Sequence, residues 1–255
     1  MSTAGLRPPP GWEVVEVVAG ARPRPALIAG DGPLCLLLHG HGASARSIVC
    51  QARAGVLVEA GMRVVAPQGV GHSWSAADDA SVLAAICTQW GGSEATVAGF
   101  SEGAAMAYRL GFDRSDLVAR VVAVGGVPPG LPSGRTGPHV LHVHGSADRR
   151  VPLGGVRRSE AGRHRLASPL RRLDRLVAMR RLRWGEAEVV CGGTAWTAPD
   201  PVGGAAVQLV VVDGVGHAWP GGVRLDATGD DPRSEFDATR AILELVCRPT
   251  MEVAR

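Results

Sequence analysis

Several features that define other protein classes are missing from this chain of 255 residues. It contains no lysine and no asparagine, so all 27 of its basic residues are arginine, and we infer no function from that bias. The five cysteines show no metal-ligand spacing, which favours buried, reduced thiols over a disulfide framework. The N-terminus lacks the apolar run of a signal peptide, and no segment is long enough to span a membrane, so we expect a cytoplasmic protein.

The remaining composition is that of an ordinary globular protein, with 45% hydrophobic and 20% charged residues. We expect a single domain over residues 1–255, of which 1–11 form a frayed lead-in. Apolar strand patterns alternate with helical patterns in units of about 25–35 residues. This alternation predicts an α/β fold with a doubly wound, mostly parallel sheet and helices on both of its faces.

The clearest strand pattern is the continuous apolar run Leu34–Leu38, which is typical of a central strand covered on both sides. Other segments show weaker strand and helix patterns. Strands are predicted at 12–18, 24–29, 62–66, 94–100, 119–124, 139–144 and 206–212, with helices at 45–60, 78–90, 103–110, from Pro169 onward, and at 235–246 after Ser234.

A G-x-S-x-G motif at residues 99–103 places Ser101 between a predicted strand and a predicted helix. Glycines two residues to either side permit the sharp turn that such a position demands. Because a serine hydroxyl is a weak nucleophile at neutral pH, it needs a base within hydrogen-bond reach. His217 and Asp148 each follow a predicted strand, so both reach the same sheet edge as Ser101. The order Ser, Asp, His predicts a catalytic triad and a sheet of the α/β-hydrolase type.

The triad acid has one alternative in the sequence. Asp213 lies only four residues before His217, directly after the last predicted core strand. Its ordinary interpretation is a turn residue that closes a strand. We therefore predict Asp148 as the acid and keep Asp213 as the alternative.

Backbone N–H groups are expected to form the oxyanion hole. One is predicted on Glu102, the residue after the nucleophile, and the other on His41, in the glycine-rich loop after Leu34–Leu38. The same loop offers Gly40 as a substrate contact. Trp219, just beyond His217, is expected to form a rigid wall of the substrate pocket, and Trp74 is a further pocket candidate.

Eight histidines raise the question of a metal site. The candidates are His39, His41, His72, His142 and His144. No H-E-x-x-H or C-x-x-C pattern accompanies them, and the last two alternate along one face of a predicted strand. We interpret them as core or loop histidines and predict neither a metal nor another cofactor.

The segment between Arg149 and Arg183 is strongly basic, with twelve arginines against Glu160 and Asp174. It belongs to a predicted insertion at 149–205, a basic helix and an extra hairpin between the triad acid and base. One interpretation is a solvated helix face, with Leu170, Leu173, Leu176 and Val177 inward and Arg171, Arg172, Arg175 and Arg180 in water. The other is a patch that attracts an anionic substrate or an acidic carrier protein. Aromatic residues are not interleaved with the arginines, so we expect no nucleic-acid binding, and no membrane-binding helix is apparent.

Four segments of the chain carry a family resemblance. They are LLLHGHGAS at 36–44, GFSEGAAMAYRL at 99–110, VHGSADRRVP at 143–152 and GHAWPG at 216–221. These segments resemble the serine esterase family of polyhydroxybutyrate depolymerases and of feruloyl or acetylxylan esterases. The resemblance implies Ser101, Asp148 and His217 as the triad, with His41 and Glu102 as oxyanion donors. Glu102 departs from the small or amide residue usual in that family.

The leading functional hypothesis is a serine hydrolase that cleaves small soluble carboxylic esters through an acyl-enzyme. A thioesterase or acyltransferase that acts on an acyl thioester or a carrier-bound substrate is the first alternative. The second is a non-catalytic binding protein on a hydrolase scaffold, because a fold alone does not imply a function.

Overall fold

A ten-stranded sheet organises the part of the chain that the computed structural model describes, residues 6–19, 23–130, 136–155, 167–201, 206–227 and 229–247. Its strands are β1 (Glu13–Val17), β2 (Arg24–Ala29), β3 (Leu34–Leu38), β4 (Arg63–Pro67), β5 (Ala95–Phe100), β6 (Val118–Val124), β7 (His139–Gly145), β8 (Glu188–Val190), β9 (Gly193–Ala198) and β10 (Val207–Val212). Their order in space is β1-β2-β4-β3-β5-β6-β7-β10-β9-β8.

The six central strands, from β4 to β10 in the spatial order, are parallel to one another. The pairs β1–β2, β2–β4, β10–β9 and β9–β8 are antiparallel, so each edge of the sheet ends in two strands of mixed direction. All five residues of β3 are buried, as its continuous apolar pattern predicts, and all six residues of β5 are buried as well. The predicted mostly parallel sheet is therefore confirmed.

Six helices cover the two faces of the sheet within the described residues. They are α1 (Ala45–Gln51), α2 (Gly55–Glu59), α3 (Ala76–Trp90), α4 (Glu102–Asp113), α5 (Pro169–Met179) and α6 (Ala238–Cys247). On one face α3, α4 and α5 pack over side chains such as Leu36, and on the other α1, α2 and α6 pack over side chains such as Leu37. Among the described residues, none of the helices combines the length and the hydrophobicity that a membrane span requires.

Two of the differences from the predicted helices have a clear structural cause. The helix predicted at 45–60 is two helices, because Arg53 adopts a φ of 51° between α1 and α2 and interrupts the hydrogen-bond ladder. The terminal helix begins at Ala238 rather than after Ser234. The side chain of Ser234 accepts the N–H of Phe236, and the carboxylate of Asp237 accepts two N–H groups of the first helical turn.

Residues 149–205 contain helix α5 and the β8–β9 hairpin, with 156–166 and 202–205 outside the described residues. Leu173, Leu176 and Val177 face the core as expected, whereas Leu170 is exposed. Arg180 was predicted to remain in water but is buried. Its guanidinium donates to the carbonyl of Pro138 at 3.0 Å and lies 5.1 Å from the ring centre of Phe112.

The described part of the predicted lead-in is anchored. Leu6 packs against the core, and the Arg46 guanidinium donates to the carbonyl of Arg7 at 2.8 Å. Residues 1–5 of the predicted lead-in lie outside the described part.

Candidate active site

Ser101 stands on a sharp turn between the end of β5 and the start of α4, with a φ of 55°. Its N–H donates to the carbonyl of Val124 at 2.8 Å, which fixes the turn against β6. A Cβ at Gly99 would lie 2.2 Å from the carbonyl oxygen of Gly103, and one at Gly103 would lie 2.4 Å from that of Leu38. The two glycines of the motif are therefore required because backbone passes through the space of their side chains.

A continuous hydrogen-bond chain connects Ser101, His217 and Asp148. On the His217 ring, Nε2 lies 3.0 Å from Ser101 Oγ, and Nδ1–H donates to Asp148 Oδ2 over 2.7 Å. The three residues follow β5, β10 and β7, so the carboxyl ends of three parallel strands bring them together. In this arrangement His217 can accept the Ser101 proton while Asp148 holds the imidazole in the required tautomer.

The carboxylate of Asp148 is buried and fully engaged. Its Oδ1 accepts the N–H groups of Arg150 and Val151 at 2.9 and 2.8 Å, while its Oδ2 faces His217. Burial alone would raise the pKa of this carboxyl, but the hydrogen bonds from His217 and Val151 outweigh it, so the pKa is lowered from 3.8. Asp148 is therefore ionised at neutral pH.

Asp213, the alternative acid, lies elsewhere. It is exposed at the end of β10, and its backbone N–H donates to the carbonyl of Gly192 at 2.9 Å. The carboxylate that contacts His217 Nδ1 is that of Asp148.

The backbone of His217 is held by a residue that the motif analysis missed. The N–H of His217 donates to Asp230 Oδ2 at 2.5 Å, and a side chain at Gly216 would meet the same carboxylate. Asp230 lies in an irregular, polar stretch between β10 and α6, where no periodicity or motif marks it. Only a contact between distant parts of the loop identifies it.

The loop after β3 lies against the nucleophile. A Cβ at Gly40 would lie 3.4 Å from Ser101 Cβ, so the position is close to the reacting hydroxyl. The carbonyl of Gly40 accepts His39 Nδ1–H at 2.8 Å and Ala43 N–H at 3.1 Å. The carbonyl and N–H of one trans peptide point in opposite directions, so these bonds set the direction of the His41 N–H.

The carboxylate of Glu102 points to the loop between β4 and α3. It accepts the hydroxyl of Ser73 at 2.8 and 3.0 Å and the N–H of Trp74 at 3.3 Å. His41 Nδ1 lies 3.3 Å from the same hydroxyl and 3.6 Å from Glu102 Oε2. The side chains of the two residues with predicted oxyanion donors are thus linked through Ser73.

The two tryptophans predicted at the substrate pocket have different surroundings. Trp219 is fully buried in the core, and its Nε1–H donates to Thr239 Oγ1 at 3.0 Å, so its assignment as a substrate contact is wrong. Trp74 is half-buried, packs 4.7 Å from the His39 ring and donates Nε1–H to the carbonyl of His39 at 2.7 Å. It therefore supports the loop after β3.

A cleft of about 490 Å³ opens beside His217. Its walls come from the loop after β3, from α1 and from the stretch between β10 and α6. Lining residues include His41, Ser44, Gln51, Phe100, Arg150, Val223, Arg224 and Asp230. Two arginines and several polar residues thus line the space beside His217.

The remaining candidate histidines have protein partners. His39 Nε2 accepts the N–H of Gly69 at 3.0 Å, and His72 Nδ1 lies 2.7 Å from the carbonyl of Ala43. His142 and His144 are fully buried next to each other on β7. Among the described residues, no group of three or more His, Cys, Asp or Glu is arranged to hold a metal ion.

Comparison with known proteins identifies a relative by sequence. The chain is 29% identical to a protein described as "Putative esterase NocK" from Nocardia uniformis subsp. tsuyamanensis, over 78% of this chain and 68% of that protein. No protein-family model matches the chain.

Solved structures share the fold at lower identity. An acetyl xylan esterase from Aspergillus awamori matches with a TM-score of 0.57 and 14% identity, covering 76% of this chain and 89% of that one. A dienelactone hydrolase-like promiscuous phosphotriesterase from metagenomic libraries matches with a TM-score of 0.59 and 15% identity, covering 92% and 96%. At such identities these matches establish the architecture.

Proposed function

We propose that this chain, which has the fold of the α/β-hydrolases, is a carboxylic ester hydrolase that cleaves small soluble esters through an acyl-enzyme intermediate. The observation that carries the proposal is the hydrogen-bond chain from Ser101 through His217 to Asp148. Similarity to a protein described as an esterase supports the same reaction class.

In the proposed acylation step, Ser101 Oγ attacks the ester carbonyl carbon while His217 Nε2 takes its proton. The negative charge on the carbonyl oxygen is stabilised by the N–H groups of His41 and Glu102. His217 then gives the proton to the departing alkoxide, which leaves as an alcohol. In the deacylation step, water loses a proton to His217 and attacks the acyl carbonyl carbon. The bond between that carbon and Ser101 Oγ then breaks, Ser101 Oγ takes the proton back from His217, and the carboxylic acid leaves.

The roles of these residues are tested by substitutions assayed on p-nitrophenyl acetate. Ser101→Ala is expected to lower kcat by several orders of magnitude and to abolish labelling by a fluorophosphonate. Asp148→Asn is expected to lower kcat about 10⁴-fold because the imidazole adopts the wrong tautomer. Asp213→Asn is the matched control and should leave kcat unchanged.

Retained turnover in Ser101→Ala would refute the proposal, and a parent protein that fluorophosphonate does not label would favour a binding protein on this scaffold. A greater loss from Asp213→Asn than from Asp148→Asn would reverse the assignment of the acid.

A second candidate, a thioesterase or acyltransferase acting on an anionic acyl thioester or a carrier-bound acyl group, is favoured by Arg150 and Arg224 at the cleft. Guanidinium groups bind phosphate and carboxylate through a planar donor fork. For this function, kcat/KM for an anionic acyl thioester should exceed that for p-nitrophenyl acetate and fall as salt rises from about 20 to 500 mM. This second function would be excluded if kcat/KM shows no preference for the anionic substrate, or if Arg150→Ala and Arg224→Ala leave that preference unchanged.

A further inference from the structure

Three fully buried polar side chains form a row beneath the acid of the site. Tyr108 on α4 places its hydroxyl 2.9 Å from His142 Nδ1, and His142 Nε2 lies 3.1 Å from His144 Nδ1. His144 Nε2 lies 2.7 Å from the carbonyl oxygen of Val151. Buried polar groups are costly unless they are paired, and each ring nitrogen in this row has a partner.

The acceptor at the end of the row determines where every proton lies. Because a carbonyl oxygen only accepts, His144 Nε2 must carry hydrogen. If His144 is neutral, its Nδ1 is an acceptor and His142 Nε2–H donates to it. His142 Nδ1 then accepts the hydroxyl proton of Tyr108. A protonated His144 would reverse the donor and the acceptor in the Tyr108–His142 and His142–His144 bonds. Burial lowers the pKa of both histidines and opposes that state.

The row ends on the turn that holds Asp148. Val151 is bonded through both of its backbone polar groups: its carbonyl accepts from His144, and its N–H donates to Asp148 Oδ1 at 2.8 Å. His144 Nε2 also lies 3.6 Å from Asp148 Oδ2, the oxygen that faces His217. A charged His144 would therefore compete with His217 for the same carboxylate.

We propose that Tyr108, His142 and His144 are positioning residues for Asp148. The row anchors the turn at 148–151 and holds His144 as the neutral Nε2–H tautomer, which leaves Asp148 Oδ2 to His217. This inference rests on the proposed function for its effect on turnover, and its prediction about proton positions stands independently.

A matched pair of substitutions tests the anchoring of the turn. Glutamine at position 144 can still place a donor near the Val151 carbonyl, whereas asparagine is one carbon shorter and falls short of it. On p-nitrophenyl acetate, His144→Gln should keep kcat within about threefold of the parent, and His144→Asn should lower kcat about ten- to hundredfold with KM unchanged. Equal kcat in the two variants, or a loss confined to KM, would overturn the proposal.

The far end of the row is tested by Tyr108→Phe, which removes one oxygen and keeps the ring. We expect kcat to fall several-fold with KM unchanged, because His142 Nδ1 loses its donor and the alternative tautomers of the row become accessible. A kcat equal to that of the parent would refute the role of Tyr108 as a positioning residue for Asp148.

Proton positions are read directly by ¹⁵N NMR of histidine-labelled parent protein at pH 7. The expected result is a neutral Nε2–H tautomer for both His142 and His144. An Nδ1–H tautomer or an imidazolium at either residue would overturn the inference even where a variant fails to fold. Turnover that survives Ser101→Ala, in contrast, refutes the proposed function and leaves the NMR result unaffected.

Discussion

At the scale of single residues, the carboxylate of Glu102 is an unusual neighbour for the proposed oxyanion hole. A negative charge near the developing oxyanion would oppose catalysis if it faced the substrate. Here the carboxylate is held by Ser73 and Trp74, which lie in the loop after β4. Glu102 is also the first residue of α4, where the helix dipole favours an anion. Glu102 therefore connects two loops at the site.

This arrangement predicts that hydrogen bonding by residue 102 matters more than its charge. Glu102→Gln keeps an acceptor for Ser73 and Trp74 and should change kcat/KM by less than about threefold, whereas Glu102→Ala should lower it about tenfold through loop displacement. Steady-state kinetics on p-nitrophenyl acetate provide the measurement. If Glu102→Gln instead loses as much as Glu102→Ala, the charge itself is required.

At the scale of elements, the turn from β5 into α4 depends on close backbone packing. Gly103 lies against the carbonyl oxygens of Leu38 and His39, each within 2.5 Å of where a Cβ would stand. Gly55, at the first position of α2, has no atom within 4 Å of its own added Cβ and does not need a positive φ. The two glycines thus differ in what a methyl group would meet.

Replacing these glycines by alanine should have opposite effects on stability. We expect Gly103→Ala to lower the free energy of unfolding by about 1–3 kcal/mol or more, because packed backbone must move. Gly55→Ala should raise it by about 0.4–1 kcal/mol by restricting the unfolded chain. Urea titrations of both variants supply the comparison, and similar midpoints would contradict the packing argument.

At the scale of the whole molecule, three buried histidines make stability depend on pH. Burial is the largest cause of the lowered pKa of His39, His142 and His144, each below its ordinary 6.5. A histidine with a lowered folded pKa takes its proton first in the unfolded state. Its contribution to stability is therefore present above about pH 6.5 and is lost as the pH falls through the folded pKa.

We accordingly expect the free energy of unfolding to be nearly constant from pH 7.5 to 8.5 and to fall between pH 6.5 and 5.5. Each such histidine contributes up to about 1.4 kcal/mol per pH unit. Asp148, whose pKa lies below 3.8, adds a loss only at lower pH. Urea titrations at several pH values measure the slope, which should decrease in His144→Gln. A flat profile down to pH 5.5 would contradict the neutral state of these rings.

Local patterns in the sequence determined the sheet-and-helix order and the three motifs around Ser101, Asp148 and His217. These features are readable because hydrophobic periodicity and turn residues act over a few neighbouring positions. Local rules also misplaced some boundaries. The break at Arg53 needs a left-handed residue that no glycine marks, and Ser234 proved to cap a turn before α6.

The surroundings of those motifs depend on tertiary contacts that local patterns do not show. Trp219 faces the core, Arg180 is buried against Phe112, and Asp230 holds the backbone of His217, although each lies in a stretch that reads as surface or loop. Such contacts join residues far apart in the chain, and their energy depends on burial and on the partner present. The spacing of residues in the sequence contains no information about burial or about the partner. It therefore predicted that the triad candidates meet at one edge of the sheet, but it did not predict the contacts that support them.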